Sequence, residues 1–345
     1  MWSLFAPAFS VRWGSDEQAL SDVRFVFRRS YYSRGGTGLV SRRGFWNELN
    51  KNKLMFLMLL PTILFFFINS YIPMVGIYFA FTSFDFRGGL FGSPFVGLDN
   101  FKFLWKSGKL AELTLNTIGY NAAFIVFKNV LAIVLAILLS EIHGKLFKKI
   151  TQSILFLPYF VSFVLLSAIS YNMFNYETGF ANTFLKSLGM QPFNFYGAPW
   201  VWVILLVVFY LWKHIGYSMI IYLASITGIS DEYYEAARID GATLRQRIWY
   251  ITVPMLKPTF VLLLLFSLGS IMKGQFDLFY QLIGNNGLLF GSTDIIDTYV
   301  FRSLKETFDI GMATAAGLYQ SVFGFILIVS VNYIIKKINE DYALF

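Results

Sequence analysis

Hydrophobic residues in this chain are concentrated in six long segments that alternate with polar stretches. Each segment is long enough for a helix to cross roughly 30 Å of hydrocarbon, which takes about 20 residues. Because a span must satisfy its own backbone polar groups inside the bilayer, each segment is expected to be helical. The pattern therefore predicts an all-α polytopic membrane protein with six transmembrane helices, at about residues 54–82, 114–140, 152–174, 200–227, 258–280 and 311–335.

Two features modify this six-helix pattern. Pro61 and Pro73 lie in the first segment and Pro158 lies near the start of the third, and proline inside a helix predicts a kink or a break. Residues 1–45 are rich in arginine and glycine and predict a flexible, basic cytoplasmic extension. Residues 46–345 are then the transmembrane domain, which starts with a short helix at the membrane interface.

The charges between the segments predict the orientation of the helices. Lysine and arginine are concentrated in the cytoplasmic loops of membrane proteins. The segments on the side of the N-terminus hold 18 of these residues, whereas those on the other side hold seven. Both termini and the segment 228–257 are therefore predicted to be cytoplasmic. Topology accounts for the net charge of +8, so no nucleic-acid partner is expected.

The segment 228–257 has the features of two short helices joined by a tight turn. Ser230 can cap a helix that carries Asp231 and Glu232 in its first turn and that runs to about Asp240. Gly241 is expected to end it, since a helix end commonly requires positive φ. A second helix is predicted at about 243–250. Together they form a compact projection from the membrane.

The projection has a composition suited to contact with another protein. Ala236 and Ala237 have little side-chain bulk, so a partner can approach the backbone closely, and Glu235, Arg238 and Asp240 add charges that orient docking. The alternative is an ordinary amphipathic pair of cytoplasmic helices. The candidate contact residues are Glu235, Ala236, Ala237, Arg238, Asp240, Gly241, Arg245 and Pro254.

The spacing of this segment is similar to a known motif. Glu-Ala-Ala is followed after three residues by Gly241, and after nine more by Ile251, a threonine, Val253 and Pro254. This resembles the cytoplasmic EAA motif of the membrane subunits of binding-protein-dependent ABC importers. The resemblance implies the type I ABC importer permease fold with cytoplasmic coupling helices, and it makes the contact residues named above the candidate ATPase-coupling residues. It also implies a multi-pass protein of the bacterial inner or plasma membrane.

The resemblance further implies partners in the lipid bilayer and on both sides of it. These are a second homologous permease subunit in a heterodimer, two ATP-binding subunits and an extracytoplasmic sugar-binding protein. The chain has no Gly-x4-Gly-Lys-Ser/Thr loop, and Gly144-Lys145 is followed by Leu146. No cofactor is therefore expected on this chain, and ATP and magnesium are expected on the partner subunits.

Three further stretches resemble the carbohydrate branch of these permeases. They are Phe95-Val96-Gly97-Leu98-Asp99-Asn100-Phe101, the run 71–84 and the closing residues 340–345. Asp99 replaces the commoner glutamate of the first stretch. The resemblance implies import of an oligosaccharide or polysaccharide fragment. Other cargoes, such as a glycerol phosphate, a peptide or a lipid precursor, remain open.

Several polar residues lie inside the predicted spans, where an ionisable side chain costs about 2.5–3.5 kcal/mol. Tyr210, Lys213 and Tyr217 share a helix face, and aromatic rings beside polar groups are typical of a carbohydrate pocket. The alternative is packing between helices with a satisfied polar partner. The candidate substrate path is formed by Lys128, Asn172, Tyr210, Lys213, His214, Tyr217 and Gln320.

The sequence has no pattern typical of an enzyme or of a metal site. It holds two histidines and no cysteine, and neither His-Glu-x-x-His nor Gly-x-Ser-x-Gly occurs. We therefore expect no catalytic residues, no bound metal and no enzymatic activity. A polytopic membrane glycosyltransferase that uses Asp294 and Asp297 is a remote alternative, because it leaves the spacing around Glu235 unexplained.

Overall fold

The computed structural model describes residues 49–338, and in this range the regular elements are helical. The only extended pairing within it is an isolated antiparallel bridge between Thr82 and Phe95. The all-α prediction is confirmed. The predicted extension at 1–45, the start of the interfacial helix and the closing residues 340–345 lie outside the described residues.

The helices follow one another along the described chain with short connections. The α-helices are α1 Lys53–Phe66, α2 Gly89–Gly92, α3 Asp99–Lys106, α4 Lys109–Ser140, α5 Lys145–Phe156, α6 Phe163–Phe174, α7 Phe180–Ser187, α8 Pro199–Thr227, α9 Asp231–Ile239, α10 Leu244–Arg247, α11 Val253–Met255, α12 Lys257–Gly269, α13 Phe276–Ile283, α14 Phe290–Thr293, α15 Ile296–Lys305 and α16 Ile310–Ile338. Segments of 3₁₀ or π helix occur at Phe67–Tyr71, Ile72–Phe81, Leu157–Phe160, Phe195–Gly197 and Ile248–Thr252.

Four helices of the described chain have the length and composition of membrane spans, and the number is six if each of two bent helix pairs is one span. Four are continuous, at Lys53–Phe81, Lys109–Ser140, Pro199–Thr227 and Ile310–Lys337. Two more are bent pairs, α5 with α6 and the 244–255 segment with α12. The six predicted spans correspond to these six stretches. Two of them differ from the prediction in shape.

The chain divides into two compact units, whose described parts are residues 49–71 and 72–338. In the first unit, α1 contains Pro61 and continues into the π turn Phe67–Tyr71. Its side chains are largely exposed, as expected for a helix that faces lipid. In the second unit, Pro73 lies in a 3₁₀ segment, Ile72–Phe81. The predicted irregularity of the first span therefore takes the form of changes in helix type.

The third span is broken rather than continuous across 152–174. Helix α5 begins at Lys145, and a 95° bend separates the stretch ending at Phe160 from α6. Pro158 removes a backbone donor in the 3₁₀ segment before the bend. Ser162 then caps the new helix, since its Oγ accepts a hydrogen bond from the Leu165 N–H at 3.2 Å.

The fifth span ends at Gly269, eleven residues before the predicted end at 280. Residues 270–275 leave the helix, and α13 follows as a separate short helix. Asn121 of α4 donates hydrogen bonds to the carbonyls of Ile271 and Lys273, at 2.9 and 3.1 Å. Because another helix satisfies these carbonyls, the backbone can leave the helical path at this depth.

Helices α4 and α8 form the framework of the second unit. Ala132 and Ala136 are fully buried in this interface, and their small size permits close approach of the two helices. Tyr222 of α8 donates a hydrogen bond of 2.7 Å to the Asn129 side-chain oxygen of α4. This buried contact fixes the register of the two helices.

The second unit has two ends that differ in structure. Ser140, at the end of α4, and Arg238, in α9, line one cleft of about 380 Å³. We call this the loop end. At the opposite end, Asn286 donates to the Tyr196 carbonyl at 2.9 Å, and Asn116 donates to the Asp294 carbonyl at 3.0 Å.

Candidate coupling loop and central cavity

The first helix of the 228–257 loop has the caps that its sequence predicts. Ser230 Oγ accepts from the Glu232 N–H at 3.4 Å, and Asp231 and Glu232 lie in the first turn of α9. Gly241 has φ +78°, and the Ala242 N–H bonds to the Ala237 carbonyl at 2.8 Å. This is a glycine-dependent helix end, because positive φ is unfavourable for residues with a Cβ.

The second helix is shorter than predicted and is closed by its own capping box. Thr243 Oγ1 accepts from the Gln246 N–H, and the Gln246 side chain accepts from the Thr243 N–H at 2.8 Å. After Arg247 the chain continues as a π turn, Ile248–Thr252. Tyr234 Oη and Thr252 Oγ1 lie 3.0 Å apart and join the first helix to this turn. The two short helices therefore form one connected projection.

Most of the predicted coupling residues form an open surface on this projection. Ala237 is half-buried, and the others are exposed: Glu235, Ala236, Arg238, Asp240, Gly241, Arg245 and Pro254. The sequence reasoning missed Ile239, whose exposed fraction of 86% is unusual for an isoleucine. No local signal identified it, because residues adjacent on a helix do not share a face, so the charges of Arg238 and Asp240 do not determine where Ile239 points.

A central cavity of about 300 Å³ lies beside α4, α8 and α12. Its wall combines aromatic rings, hydroxyl groups and one ammonium group. Tyr159 and Tyr217 stack with their ring centroids 5.0 Å apart. The lining residues are Lys128, Asn129, Tyr159, His214, Tyr217, Ser218, Ile221, Leu263, Phe266, Ser267 and Ser270.

Three of the predicted path residues, Lys128, His214 and Tyr217, line this cavity. His214 Nε2 is buried and has no hydrogen-bond partner within residues 49–338. The sequence reasoning missed Tyr159 and Ser218. Tyr159 comes from a different span, and only the bend that follows Pro158 brings it to α8.

Lys213 lies outside the cavity and holds the break in the third span. Its ammonium group donates to the Tyr159 carbonyl at 2.8 Å and also to the Val161 carbonyl. It also lies 4.9 Å from the centroid of the Phe163 ring. These two carbonyls flank the bend, where the helix cannot bond them itself. Lys213 is therefore the satisfied polar group that the packing alternative describes.

Tyr210 and Asn172 also lie away from the cavity wall. The Tyr210 ring stacks on Phe124 with a centroid separation of 3.9 Å, inside the buried core. It supports His214, since these two rings lie 4.6 Å apart. Asn172 is exposed on α6 and donates to the Ala168 carbonyl of its own helix at 2.8 Å.

Gln320 of α16 contacts the segment 270–275, which follows the fifth span. Its side-chain amide donates to the Met272 carbonyl at 2.6 Å and to the Asp297 carboxyl at 2.9 Å. The Gly274 N–H donates to the same carboxyl at 2.8 Å. Burial raises the pKa of Asp297, while these hydrogen bonds oppose that rise. Gln320 and Asp297 together hold the 270–275 segment in place.

The second carboxylate of the enzyme alternative is also in structural use. Asp294 is buried and forms ion pairs with Arg302 at 2.5 Å and with Lys109 at 3.3 Å. Its Oδ1 accepts a hydrogen bond from Thr298 at 2.7 Å. Neither carboxyl of the pair is placed to act on a substrate in the described structure. The two residues instead link α15 to the start of α4, through Lys109, and to α16, through Gln320.

The match to a family model decides the identity of the chain. Residues 128–340 match the model described as binding-protein-dependent transport system inner membrane component. The chain belongs to this family. It is a membrane-embedded permease subunit of an ABC importer and not an enzyme. The loop and the cavity both lie within the matched residues.

Named relatives and solved structures agree over most of the chain. It is similar to Protein LplB of Bacillus subtilis, with 33% identity over 85% of this chain and 92% of the relative. It is 32% identical to the polygalacturonan/rhamnogalacturonan transport system permease protein YteP of the same organism, over 85% of this chain and 91% of YteP. A chain of the crystal structure of a bacterial ABC transporter involved in the import of the acidic polysaccharide alginate matches with a TM-score of 0.77. That match has 30% identity and covers 85% of this permease and 99% of that chain.

Proposed function

We propose that this permease imports an oligosaccharide or polysaccharide fragment by alternating access, together with a second homologous permease subunit. Two ATP-binding subunits that carry ATP and magnesium would drive it, and an extracytoplasmic binding protein would deliver the cargo. The cargoes named for YteP, polygalacturonan and rhamnogalacturonan, and for the alginate transporter support this cargo class. The observation that carries the coupling role is the capped projection that exposes Glu235, Arg238 and Ile239.

The projection is joined to two spans through short connections. Residues 228–230 separate α8 from α9, and the π turn leads through α11 into α12. Ser225 Oγ and Thr259 Oγ1 lie 2.9 Å apart and link α8 to α12 near the base of the projection. A displacement of the projection by a closing pair of ATPase subunits would therefore move α8 and α12 together, as packed helices do in shear or rocking motions.

The cavity between these helices is the proposed part of the cargo path in this subunit. Tyr159 and Tyr217 offer aromatic faces, and Ser218, Ser267 and Ser270 offer hydroxyl groups, as sugar sites do. A volume of about 300 Å³ is at the lower end for ligand sites, so the second permease subunit would supply the rest of the path. Lys213, Tyr210 and Gln320 support this wall indirectly.

The proposed orientation follows from the charges of the connecting segments. The loop end would face the cytoplasm, where the ATPase subunits dock, and the opposite end would face the binding protein. Both termini would then be cytoplasmic. The lipid bilayer would surround the exposed apolar side chains of the spans, of which Val126, Phe127 and Val130 of α4 are examples.

Substitution of Gly241 tests the coupling role. The Gly241→Pro variant cannot adopt φ +78° and loses the 3.1 Å hydrogen bond from its N–H to the Arg238 carbonyl. We expect loss of the ATPase subunits on affinity purification of this permease from its assembled importer, and loss of uptake. Membrane insertion should be kept.

Gly189→Pro is the matched control. Gly189 has φ +76° and its N–H bonds to the Lys186 carbonyl at 3.0 Å, but it lies at the opposite end. This control should keep the ATPase subunits. Retained assembly and uptake in Gly241→Pro would remove the coupling role. Uptake of a glycerol phosphate, a peptide or a lipid precursor, with no uptake of oligosaccharides, would overturn the cargo class.

A further inference from the structure

Lys128 is the one lysine or arginine in the wall of the central cavity as the structure describes it. It lies well inside α4, which runs from Lys109 to Ser140, and is about 18 Å from the nearer helix end at 1.5 Å per residue. An ammonium group at such depth is costly unless a partner or water compensates its charge. The position of Lys128 therefore requires an explanation.

The described residues give Lys128 no hydrogen bond and no ion pair. The neighbouring Asn129 already donates to the Ile125 carbonyl and accepts from Tyr222. None of the residues that line the cavity between 49 and 338 is acidic. In contrast, the Lys213 ammonium has two backbone carbonyls. The two span lysines thus differ, since one is structurally satisfied and the other is available to a ligand.

The groups around Lys128 favour a sugar that carries a carboxylate. Tyr159 and Tyr217 can stack on sugar rings, and Ser218 and Ser267 can bond sugar hydroxyl groups. A lysine ammonium and a carboxylate form a charge-assisted hydrogen bond, which is roughly twice as strong as a neutral one. A neutral sugar would leave the ammonium without a counter-charge.

We propose that Lys128 binds a carboxylate group of the cargo, so that the importer selects fragments of acidic polysaccharides over neutral oligosaccharides of the same length. This inference rests on the proposed function, because it requires the cavity to be part of the cargo path. Within that path Lys128 is the specificity-determining residue. The two tyrosines and the serines bind the sugar without regard to its charge.

The first test compares two cargoes of the same sugar and chain length, one with carboxylates and one with neutral methyl esters. The complete importer, in proteoliposomes with its binding protein, is given trigalacturonate or its fully methyl-esterified form. We expect Lys128→Met to lower the rate of trigalacturonate uptake about 10-fold or more, since the charge-assisted bond is lost. Lys128→Arg should keep most of it. Lys273→Met removes a lysine that is exposed and outside the cavity wall, and should leave uptake unchanged.

The second test uses the absence of cysteine from this chain. A Lys128→Cys variant, combined with partner subunits that have no cysteine, should lose trigalacturonate uptake. Treatment with 2-aminoethyl methanethiosulfonate attaches an ammonium group through a mixed disulfide and should restore uptake. Methyl methanethiosulfonate adds a neutral group of similar chemistry and should not. Gel filtration of each variant shows whether the importer remains assembled.

The outcomes separate this inference from the proposed function. If Lys128→Met lowers the uptake of both cargoes equally, the lysine either pairs with a carboxylate of the second permease subunit or is needed for folding. That result would overturn the inference. Unchanged trigalacturonate uptake in that variant would do the same. If the wild-type importer takes up only neutral oligosaccharides, the proposed function stands and the inference fails. If it takes up neither, the cargo class fails as well.

Discussion

Lys213 shows how one side chain stabilises an irregular backbone inside a membrane protein. Its ammonium bonds the carbonyls of Tyr159 and Val161, on either side of the bend in the third span. Two unsatisfied carbonyls in this place would each cost about 1–3 kcal/mol. An ionisable residue inside a span is therefore not always a ligand of the cargo, since it can instead replace the hydrogen bonds that a broken helix lacks.

The Lys213→Met variant should destabilise the permease. Methionine has a similar length but no donor, so both carbonyls lose their partner, and we expect the melting temperature of the purified subunit to fall by roughly 5 °C. Lys186→Met, at an exposed lysine of α7, is the control and should melt like the wild type. Thermal unfolding in detergent, followed by size-exclusion chromatography, measures both. An unchanged melting temperature for Lys213→Met would show that the bend does not depend on this side chain.

Between elements, the close approach of α8 to α5 determines where the broken span lies. A Cβ at Gly216 would lie 2.0 Å from the Leu155 carbonyl oxygen, so the two backbones are in direct contact there. Lys213 lies one turn before Gly216 and reaches the bend that follows α5. The contact at Gly216 and the ammonium of Lys213 thus both position the bend between α5 and α6. Tyr159, which lies just before this bend, is held at the cavity wall.

Gly216→Ala should separate these two helices. The added methyl group meets backbone rather than a flexible side chain, so relief requires a shift of a whole helix and lowers stability by roughly 1–3 kcal/mol. Gly119→Ala in α4 is matched, because a Cβ there meets nothing within 4 Å and alanine favours a helix. We expect a lower melting temperature and slower uptake for Gly216→Ala, and wild-type values or better for Gly119→Ala. Equal behaviour of the two variants would contradict the close contact.

At the scale of the whole second unit, the projection 228–257 and the residues that hold the broken spans are arranged along α4, α8 and α12. The projection lies at the loop end. Toward the opposite end, Asn121, Gln320 and Asp297 hold the segment that follows α12. The cavity lies beside the same three helices. In the proposed function, a motion that begins at the projection would reach the cavity wall through α8 and through the π turn and α11 into α12.

The orientation of this unit can be measured by thiol labelling, because the chain has no cysteine. His143 is exposed at the loop end, and Lys186 is exposed in the segment 175–198. We expect an impermeant maleimide to label Lys186→Cys in spheroplasts, and to label His143→Cys only after the membrane is permeabilised. The reverse pattern would place the projection outside the cell and would remove its proposed contact with the ATPase subunits.

The sequence was sufficient for the features that depend on local physics. Span number follows from apolar length, and the caps of α9 follow from Ser230 and Gly241, because these residues act on backbone groups a few positions away. The motif that runs from Glu235 to Pro254 was recognisable for the same reason. Its residues are close together in the chain, and their spacing is itself the signal.

Tertiary structure decided what local physics leaves open. Whether a lysine inside a span bonds a carbonyl or lines a cavity depends on the helix that packs beside it. Lys213 and Lys128 could not be separated by their sequences, yet only Lys213 lies within reach of the carbonyls at the bend. The early end of the fifth span likewise depends on residues that are remote in sequence. Asn121 and Gln320 donate the hydrogen bonds that the carbonyls of the segment 270–275 lack within their own helix. A buried polar group is satisfied by whatever folding brings within about 3 Å of it, and that neighbour is absent from the local sequence.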